Sequence, residues 1–302
     1  MTLLLLAASA LILILVIIPG IGVSINGSRR WLNIFGLSMQ PSEFAKYAMV
    51  VFMAGALDRR GEAIDRLFTG IIPLLVVPGV MFLLILEQPN LSTGGSILIC
   101  ALVMLFAAGI RRRHIALLGL GGLAVGAFYA WSAPYRRERL LSFRDPFAKM
   151  SDEGYQLSQS LIALGSGGLF GVGLGQGTPE KIPAYYNDFI FAVVCEQLGQ
   201  AFGVLLLAVY VLLILRGVTV VARARRSFEM LLGCGVLAML GIQTFMIVAG
   251  VIKMIPLTGV TMPFLSYGGS SLLSCMAMIG ILHGASARAQ ENLEEDILCV
   301  RG

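Results

Sequence analysis

Residues 227–250 read SFEMLLGCGVLAMLGIQTFMIVAG, with Glu229 as the single ionisable side chain. A helix needs about 20 mostly apolar residues to cross a hydrocarbon core about 30 Å thick, so this stretch predicts a membrane-spanning helix. The whole chain agrees, because 57% of its 302 residues are hydrophobic and only 13% are charged. Soluble proteins have roughly 25% charged residues. The composition, with a mean hydropathy of +0.86, excludes a cytosolic enzyme, a disordered chain and a secreted disulfide scaffold.

Working outward from this stretch, seven more apolar runs approach the length of a membrane span. The eight predicted spans are residues 2–23, 42–57, 70–87, 92–109, 114–132, 188–215, 227–250 and 266–285. They predict an all-α, polytopic helical bundle that forms one membrane domain over residues 1–302. An even number of spans places both termini on the same side of the membrane.

The positions of the arginines predict the orientation of the bundle in the membrane, because short loops rich in Lys and Arg stay in the cytoplasm. Basic residues cluster in the loops 58–69, 110–113 and 216–226, which all fall on one face. Both termini are therefore predicted to be cytoplasmic, and the long loop 133–187 is predicted to face the outside. Because the 22 basic residues are scattered between apolar runs, the net charge of +5 does not indicate nucleic-acid binding.

The long outer loop contains a glycine run over residues 165–177. Its spacing fits neither GxGxxG nor GxxxxGK, so nothing supports nucleotide binding. Two interpretations stay open: close backbone packing, or a loop that approaches a pyrophosphate or another substrate group. The five cysteines form no CxxC pair and no Cys/His cluster, so neither a disulfide framework nor a zinc site is indicated.

Ionisable side chains within the spans point to function, because charge is costly in lipid. Glu43 and Lys46 are three residues apart and share a helix face, so they are expected to pair. Such a pair can be purely structural, or it can line a cavity. Glu196 lies within the sixth predicted span, where it either packs inside the bundle or contacts substrate. Asp188 opens that span, where it either caps the helix or acts as a base at the membrane surface.

Four strings then carry a resemblance to a known family. They are GSRRW at 27–31, QPSEFAK at 40–46, DFIFA at 188–192 and PFLSYGGSS at 263–271. In this order they resemble the SEDS family of FtsW, RodA and SpoVE. The resemblance extends from about residue 20 to residue 285. Members usually have ten spans, and the first span of this chain corresponds to the family's third.

The resemblance implies a peptidoglycan glycosyltransferase that polymerises lipid II on the outer face of the bacterial cytoplasmic membrane. It also implies a partner, a class B penicillin-binding protein that cross-links the glycan strands. The family's essential acidic residue falls on Asp188, and the Glu and Lys of its QPSEFAK motif fall on Glu43 and Lys46. The chain departs from the family at Asn90, where members usually have Asp, and over residues 183–187, where the family's Glu and His are replaced.

The chemistry of this reaction suggests further site residues. Asp188 is expected to act as a general base, or as a ligand of Mg²⁺ or Mn²⁺, and basic side chains are expected to bind the pyrophosphate. The candidate substrate-binding residues are Arg30, Glu43, Lys46, Arg139, Gln156, Gln159, Lys181, Glu196, Ser266 and Ser270. Gln156 and Gln159 can equally satisfy the loop's own backbone.

Two other functions remain alternatives. The charges within the spans are also compatible with a flippase or transporter for lipid-linked oligosaccharides. A transporter usually shows two related repeats, however, and no internal repeat is visible in this chain. The other alternative is a scaffold without catalytic activity.

Overall fold

The structure, a computed structural model, describes residues 2–25, 28–34, 36–61, 66–132, 143, 145–147, 154–224 and 226–284. The main helices are α1 (Thr2–Ile17), α2 (Pro41–Arg60), α3 (Ile72–Leu86), α4 (Leu91–Ala107), α5 (Arg112–Trp131), α6 (Tyr155–Ser166), α7 (Ile190–Leu198), α8 (Gln200–Val221), α9 (Ser227–Val251) and α10 (Gly269–Gly284). A π-helical turn, Leu67–Ile71, leads into α3, and a short 3₁₀ helix covers Pro179–Lys181. The strands are β1 (Gly22–Ile25), β2 (Ser28–Ile34) and β3 (Leu37–Met39).

Each of the eight predicted spans contains a helix, which confirms the prediction of a helical, multi-pass membrane protein. In the described part of the chain, three helical segments are long and apolar enough on their own to cross a membrane. They are Leu67–Leu86, Gln200–Val221 and Ser227–Val251. The helices α1, α4 and α10 are also apolar but shorter.

The end of the first predicted span is wrong, because α1 ends at Ile17 and is followed by a small sheet. Proline lacks a backbone N–H and disfavours a helical conformation at the residue before it, so Pro19 stops the helix. Gly20 follows with a φ of 93°, which suits the turn into β1. The three strands are antiparallel in the order β1-β2-β3, with Leu32 paired to Gly22 on one side and to Met39 on the other.

The sixth predicted span is also wrong as one helix, because Gly199 separates α7 from α8. Gly199 has a φ of 90°, and a Cβ at this position would lie 2.2 Å from the carbonyl oxygen of Leu169. The glycine-rich loop packs into this break: the N–H of Gln200 donates to Gly168 at 2.9 Å, and the N–H of Ala201 donates to Leu169 at 3.2 Å. The loop backbone therefore pairs with the groups that the break releases.

The chain divides into two compact units. The first comprises Met1–Ile115, Ile214–Ile242 and Gly269–Gly302. Its centre is α2, which begins with Pro41, a residue favoured in the first turn of a helix. Most α2 side chains are buried, and α1, α3 and α4 pack against this helix. Gly235 of α9 lies so close that an added Cβ would be 2.6 Å from Val50 of α2.

The second unit comprises Ala116–Leu213 and Gln243–Gly268. Its core is formed by buried apolar side chains of α7, of the end of α9 and of the segments beside them, among them Phe189, Phe191, Val251 and Met262. The amphipathic segment Tyr155–Ser166 forms α6, which packs against α7. Residues 252–268, which include Pro256 and Pro263, are not helical.

Candidate functional site

Asp188 lies in the turn that leads into α7. Its N–H donates to the carbonyl of Ala184 at 3.2 Å. The N-cap position of α7 is occupied by Phe189, which provides no capping side chain. Asp188 therefore precedes the N-cap by one residue, and its two interpretations, a cap of the helix and a base at the membrane surface, both stay predictions.

The irregular segment 252–268 lies against this turn. The hydroxyl of Ser266 donates to the carbonyl of Asn187 at 2.7 Å and accepts from the N–H of Met262 at 2.8 Å. The N–H of Tyr267 donates to the carbonyl of Tyr186 at 2.8 Å. These bonds join the residues immediately before Asp188 to the PFLSYGGSS motif, although almost 80 residues separate the two along the chain.

Gly259, in the same irregular segment, faces the carboxylate. A Cβ built on Gly259 would lie 3.6 Å from Asp188 Oδ2, and the φ of Gly259 is 61°, a value that other residues rarely adopt. A larger residue would be strained there and would place its Cβ in van der Waals contact with the carboxylate. Gly259 thus packs beside Asp188 without a side chain between them.

Tyrosine side chains flank the same turn. The ring of Tyr186 packs edge-on against Tyr185 at 5.2 Å and against Tyr267 at 5.6 Å between centroids. Tyr267 is 75% exposed and Tyr186 is 45% exposed. Edge-to-face geometry is a favoured arrangement of aromatic rings, so the pair presents a fixed, accessible aromatic surface two residues from Asp188.

A cavity of about 260 Å³ lies in the same unit, between α6, the glycine-rich loop, the 3₁₀ helix and α7. Three predicted site residues line it: Gln159, Lys181 and Glu196. Glu196 is only 4% exposed, and its Oε1 accepts from the N–H of Thr178 at 3.1 Å. Gln156 is half-buried on α6, three residues from Gln159.

The glycine run packs closely against α7, as one of its two interpretations predicted. A Cβ at Gly167 would lie 2.1 Å from the carbonyl oxygen of Cys195, and one at Gly171 would lie 2.2 Å from that of Gln197. Gly177 packs equally closely against a side chain, since a Cβ built at Gly177 would lie 2.7 Å from Glu196 Oε2. Close backbone approach therefore accounts for these glycines, and it brings the loop to the wall of the cavity.

Four other predicted residues, Arg30, Glu43, Lys46 and Ser270, belong to the first unit. Lys46 Nζ lies 2.9 Å from both carboxylate oxygens of Glu43, which confirms that the two residues pair. Both are buried, at 0% and 3% exposure. Ser270 accepts from the N–H of Gln40 at 3.0 Å, so its hydroxyl holds the start of α2.

Arg30, on β2, binds the turn between α3 and α4. Its Nε donates to the carbonyl of Gln88 at 2.9 Å, and Nη2 donates to the carbonyl of Pro89. Gln88 in turn donates to the carbonyl of Leu13 at 3.1 Å. The contacts of Arg30 thus fix the sheet to the QPN turn, and its role toward pyrophosphate stays a prediction. Arg139 lies outside the described residues.

Sequence reasoning missed Gly259 and the tyrosine pair. Tyr267 lies in the PFLSYGGSS string and Tyr186 lies two residues before the DFIFA string, but an aromatic residue in or beside a motif has no signal of its own. Gly259 follows a Thr in an irregular segment, and only its approach to Asp188 gives it a role.

Comparison with known proteins is consistent across sequence and structure. The family model for the cell cycle proteins FtsW, RodA and SpoVE matches residues 1–291. A probable peptidoglycan glycosyltransferase FtsW of Geobacter sulfurreducens is 38% identical over 279 residues, covering 92% of this chain and 75% of that protein. Stage V sporulation protein E of Bacillus subtilis is 40% identical over 277 residues, with 91% and 76% covered.

Solved structures match as well. One comes from a study of how a peptidoglycan synthase complex coordinates polymerization and crosslinking. It has a TM-score of 0.79 and 31% identity, and the match covers 93% of this chain and 79% of that chain. The rod shape determining protein RodA of Thermus thermophilus has a TM-score of 0.66 and 31% identity, with 93% and 76% covered.

Proposed function

The chain belongs to the FtsW, RodA and SpoVE family, and from this premise we propose that it is a peptidoglycan glycosyltransferase that polymerises lipid II into glycan strands. The observation that carries the proposal is the position of Asp188. Two separate motifs of the chain converge around it, joined by the bond from Ser266 to Asn187, and Gly259, which has no side chain, packs beside its carboxylate.

The reaction joins an acceptor sugar hydroxyl to the anomeric carbon of a donor sugar. A new carbon–oxygen bond forms as the bond between that carbon and the lipid pyrophosphate breaks, and the pyrophosphate leaves with the electron pair. Asp188 accepts the proton of the attacking hydroxyl. General-base assistance of this kind contributes about 10² to 10⁴ in rate.

The leaving pyrophosphate requires positive charge. Lys181 is exposed on the 3₁₀ helix seven residues before Asp188, which makes it the best placed of the proposed cations in this unit. Arg30 is a second candidate, because its guanidinium carries a permanent positive charge and five N–H donors. We assign Lys181, Arg30 and Arg139 to pyrophosphate binding, and Glu43, Lys46, Gln156, Gln159, Glu196, Ser266 and Ser270 to the substrate site and its support.

A divalent cation fits this site only together with substrate. Among the described residues, no group of three His, Cys, Asp or Glu side chains lies close enough to hold a metal ion. Mg²⁺ is nevertheless often bound by one or two carboxylates plus substrate phosphates and water. Asp188 would therefore hold Mg²⁺ or Mn²⁺ jointly with the pyrophosphate, and the ion would stabilise the charge on the leaving group.

The family relationship also supplies the setting of the reaction. A relative of similar fold comes from a synthase complex that couples polymerization to crosslinking, so we assign this chain a class B penicillin-binding protein as its partner. With the arginine loops inside, the chain lies in the bacterial cytoplasmic membrane with both termini in the cytoplasm, and Asp188 acts on the outer face.

The decisive experiment incubates the purified protein with labelled lipid II, with and without a partner transpeptidase. Glycan polymer confirms the enzyme, whereas lipid II translocation in vesicles without polymer indicates the flippase instead. If the protein neither forms polymer nor translocates lipid II, the result supports the inactive scaffold.

The variant Asp188→Asn tests the catalytic carboxylate. Asn preserves the size of the side chain and one acceptor oxygen, but it cannot take up a proton at neutral pH. Polymerisation should fall by at least about 10², while expression and membrane insertion stay normal. Wild-type polymerisation rates in this variant would refute the assignment of Asp188.

A further inference from the structure

The cavity of the second unit has a polar wall that the proposed catalytic step does not use. Its volume of about 260 Å³ corresponds to roughly nine water molecules at about 30 Å³ each. Ile162 and Val172, which are 46% and 42% exposed, both line it. The cavity therefore opens at the protein surface and offers room for one group of amino-acid size.

Glu196 forms the charged part of the wall. Its Oε1 accepts from the N–H of Thr178 at 3.1 Å, but Oε2 is buried and has no hydrogen-bond partner among the described residues. A buried carboxylate oxygen without a donor is costly. Because Glu196 lines the cavity, the cavity is the route by which a donor can approach this oxygen.

Lys181 does not provide that donor. It lines the same cavity, yet no salt bridge joins its ammonium to the carboxylate of Glu196. The cavity thus presents a buried negative charge and, separately, an exposed positive side chain. This pattern suits a ligand that carries an ammonium group and, at some distance from it, a carboxylate.

We propose that the cavity binds the primary ammonium group on the peptide of the lipid-linked substrate, with Glu196 Oε2 as its counter-ion. The proposal rests on the function proposed above. Crosslinking of peptidoglycan joins two peptides by an amide bond, so the substrate of the polymerase must still carry a free amine. A charge-assisted hydrogen bond to a buried carboxylate is the strongest recognition available for that group.

The distance along the chain fits a substrate held at two points. Asp188 lies in the turn just before α7, and Glu196 lies about 9 Å along this helix from its first residue, Ile190, at a rise of about 1.5 Å per residue. About three extended peptide residues span 9 Å. The turn and α7 would then position the sugar end of the substrate near Asp188 and the amine of its peptide at Glu196. Glu196 acts here as a specificity residue and takes no part in the chemical step.

The test compares two substrates in the polymerisation assay without a partner transpeptidase: lipid II with a free peptide amine, and the same compound with that amine acetylated. We expect the wild type to prefer the free amine at least tenfold in kcat/KM, mainly through KM, since a hydrogen bond to a charged group is worth at least this factor. Glu196→Gln should bring the preference close to one. Its amide oxygen can still accept from Thr178, so the loop keeps its anchor.

Glu180→Gln is the matched control, because Glu180 is exposed on the 3₁₀ helix and does not line the cavity; this variant should keep the wild-type preference. Equal use of the two substrates by the wild type, or an unchanged preference in Glu196→Gln, would overturn the proposal and leave water as the partner of Oε2. If Glu196→Gln fails to fold, Ile162→Trp, which fills the cavity from its exposed rim, must reduce the preference by itself.

A wild type that forms no polymer from either substrate contradicts the proposed function, and the site is then tested directly. Binding of the free-amine and acetylated compounds to the purified protein should still differ at least tenfold. Equal affinities would reject the ammonium site.

Discussion

The ion pair between Glu43 and Lys46 supports a prediction whose size follows from its geometry. Lys46 Nζ lies 2.9 Å from both oxygens of Glu43, and the two residues are 0% and 3% exposed. Removing one partner of such a pair leaves an uncompensated buried charge and costs about 3 to 5 kcal/mol, whereas replacing both by apolar residues of similar volume is often neutral or stabilising. We therefore expect Glu43→Leu and Lys46→Met each to destabilise the protein strongly, and the double variant to recover most of the loss.

The assay is thermal unfolding of the purified protein in detergent. Taking about 2 to 4 °C per kcal/mol, the value for soluble domains of 150 to 250 residues, each single variant should lower the apparent Tm by roughly 6 to 20 °C. Single variants with the wild-type Tm would contradict the burial of the pair, and a double variant whose loss is the sum of both would contradict their coupling.

The same double variant separates the two interpretations of the pair. If Glu43 and Lys46 also belong to the substrate site, as we propose, the double variant recovers stability but still polymerises lipid II at least tenfold more slowly than the wild type. Recovery of both properties would make the pair purely structural.

Three further predictions concern the second unit and the topology. Ser266→Ala removes the acceptor of one backbone N–H and the donor to the turn before the catalytic carboxylate; we expect a loss of about 1 to 3 kcal/mol and slower polymerisation, and unchanged kcat would show that this turn is held by other contacts. Gly199→Ala requires a φ of 90° and a contact of 2.2 Å, so the variant should lose about 1 to 3 kcal/mol of stability from the backbone conformation alone, and its Tm should fall. Gly165→Ala, where a Cβ meets nothing, should keep or raise the Tm, and equal effects at both glycines would contradict the close packing of the loop. A cysteine at Glu180 should react with an impermeant reagent in intact cells and one at Ala222 should not, with the unsubstituted protein as the control; the reverse pattern would place the site on the wrong side of the membrane.

Local patterns predicted the features that depend on neighbours along the chain. The spans were predictable because lipid requires every helix that crosses it to be apolar over about 20 residues, a property that composition records directly. The pairing of Glu43 with Lys46 was predictable for a similar reason, since residues three apart on a helix are neighbours whatever surrounds them.

Two predicted span boundaries are wrong, because contacts with residues distant in sequence override the local preference for a continuous helix. Residues 188–215 have the composition of one helix, yet the glycine loop packs into the chain at Gly199 and divides it. Residues 18–23 are apolar enough to continue α1, but β1 pairs with β2 instead. Apolar composition favours burial in either conformation, so it does not distinguish a continuous helix from a helix that ends early.

The sequence by itself determined that the chain is a helical membrane protein, that Glu43 and Lys46 pair, and that Asp188 is the carboxylate to examine. Only the tertiary structure decided what surrounds Asp188 and Glu196. The bond of Ser266 to Asn187, the approach of Gly259 to Asp188 and the contact of Glu196 with Thr178 join residues 18 to 79 positions apart. Hydropathy and helical periodicity describe how each segment meets lipid or water, whereas contacts at such separations depend on which segments pack together, and a single sequence carries no local signal for that choice.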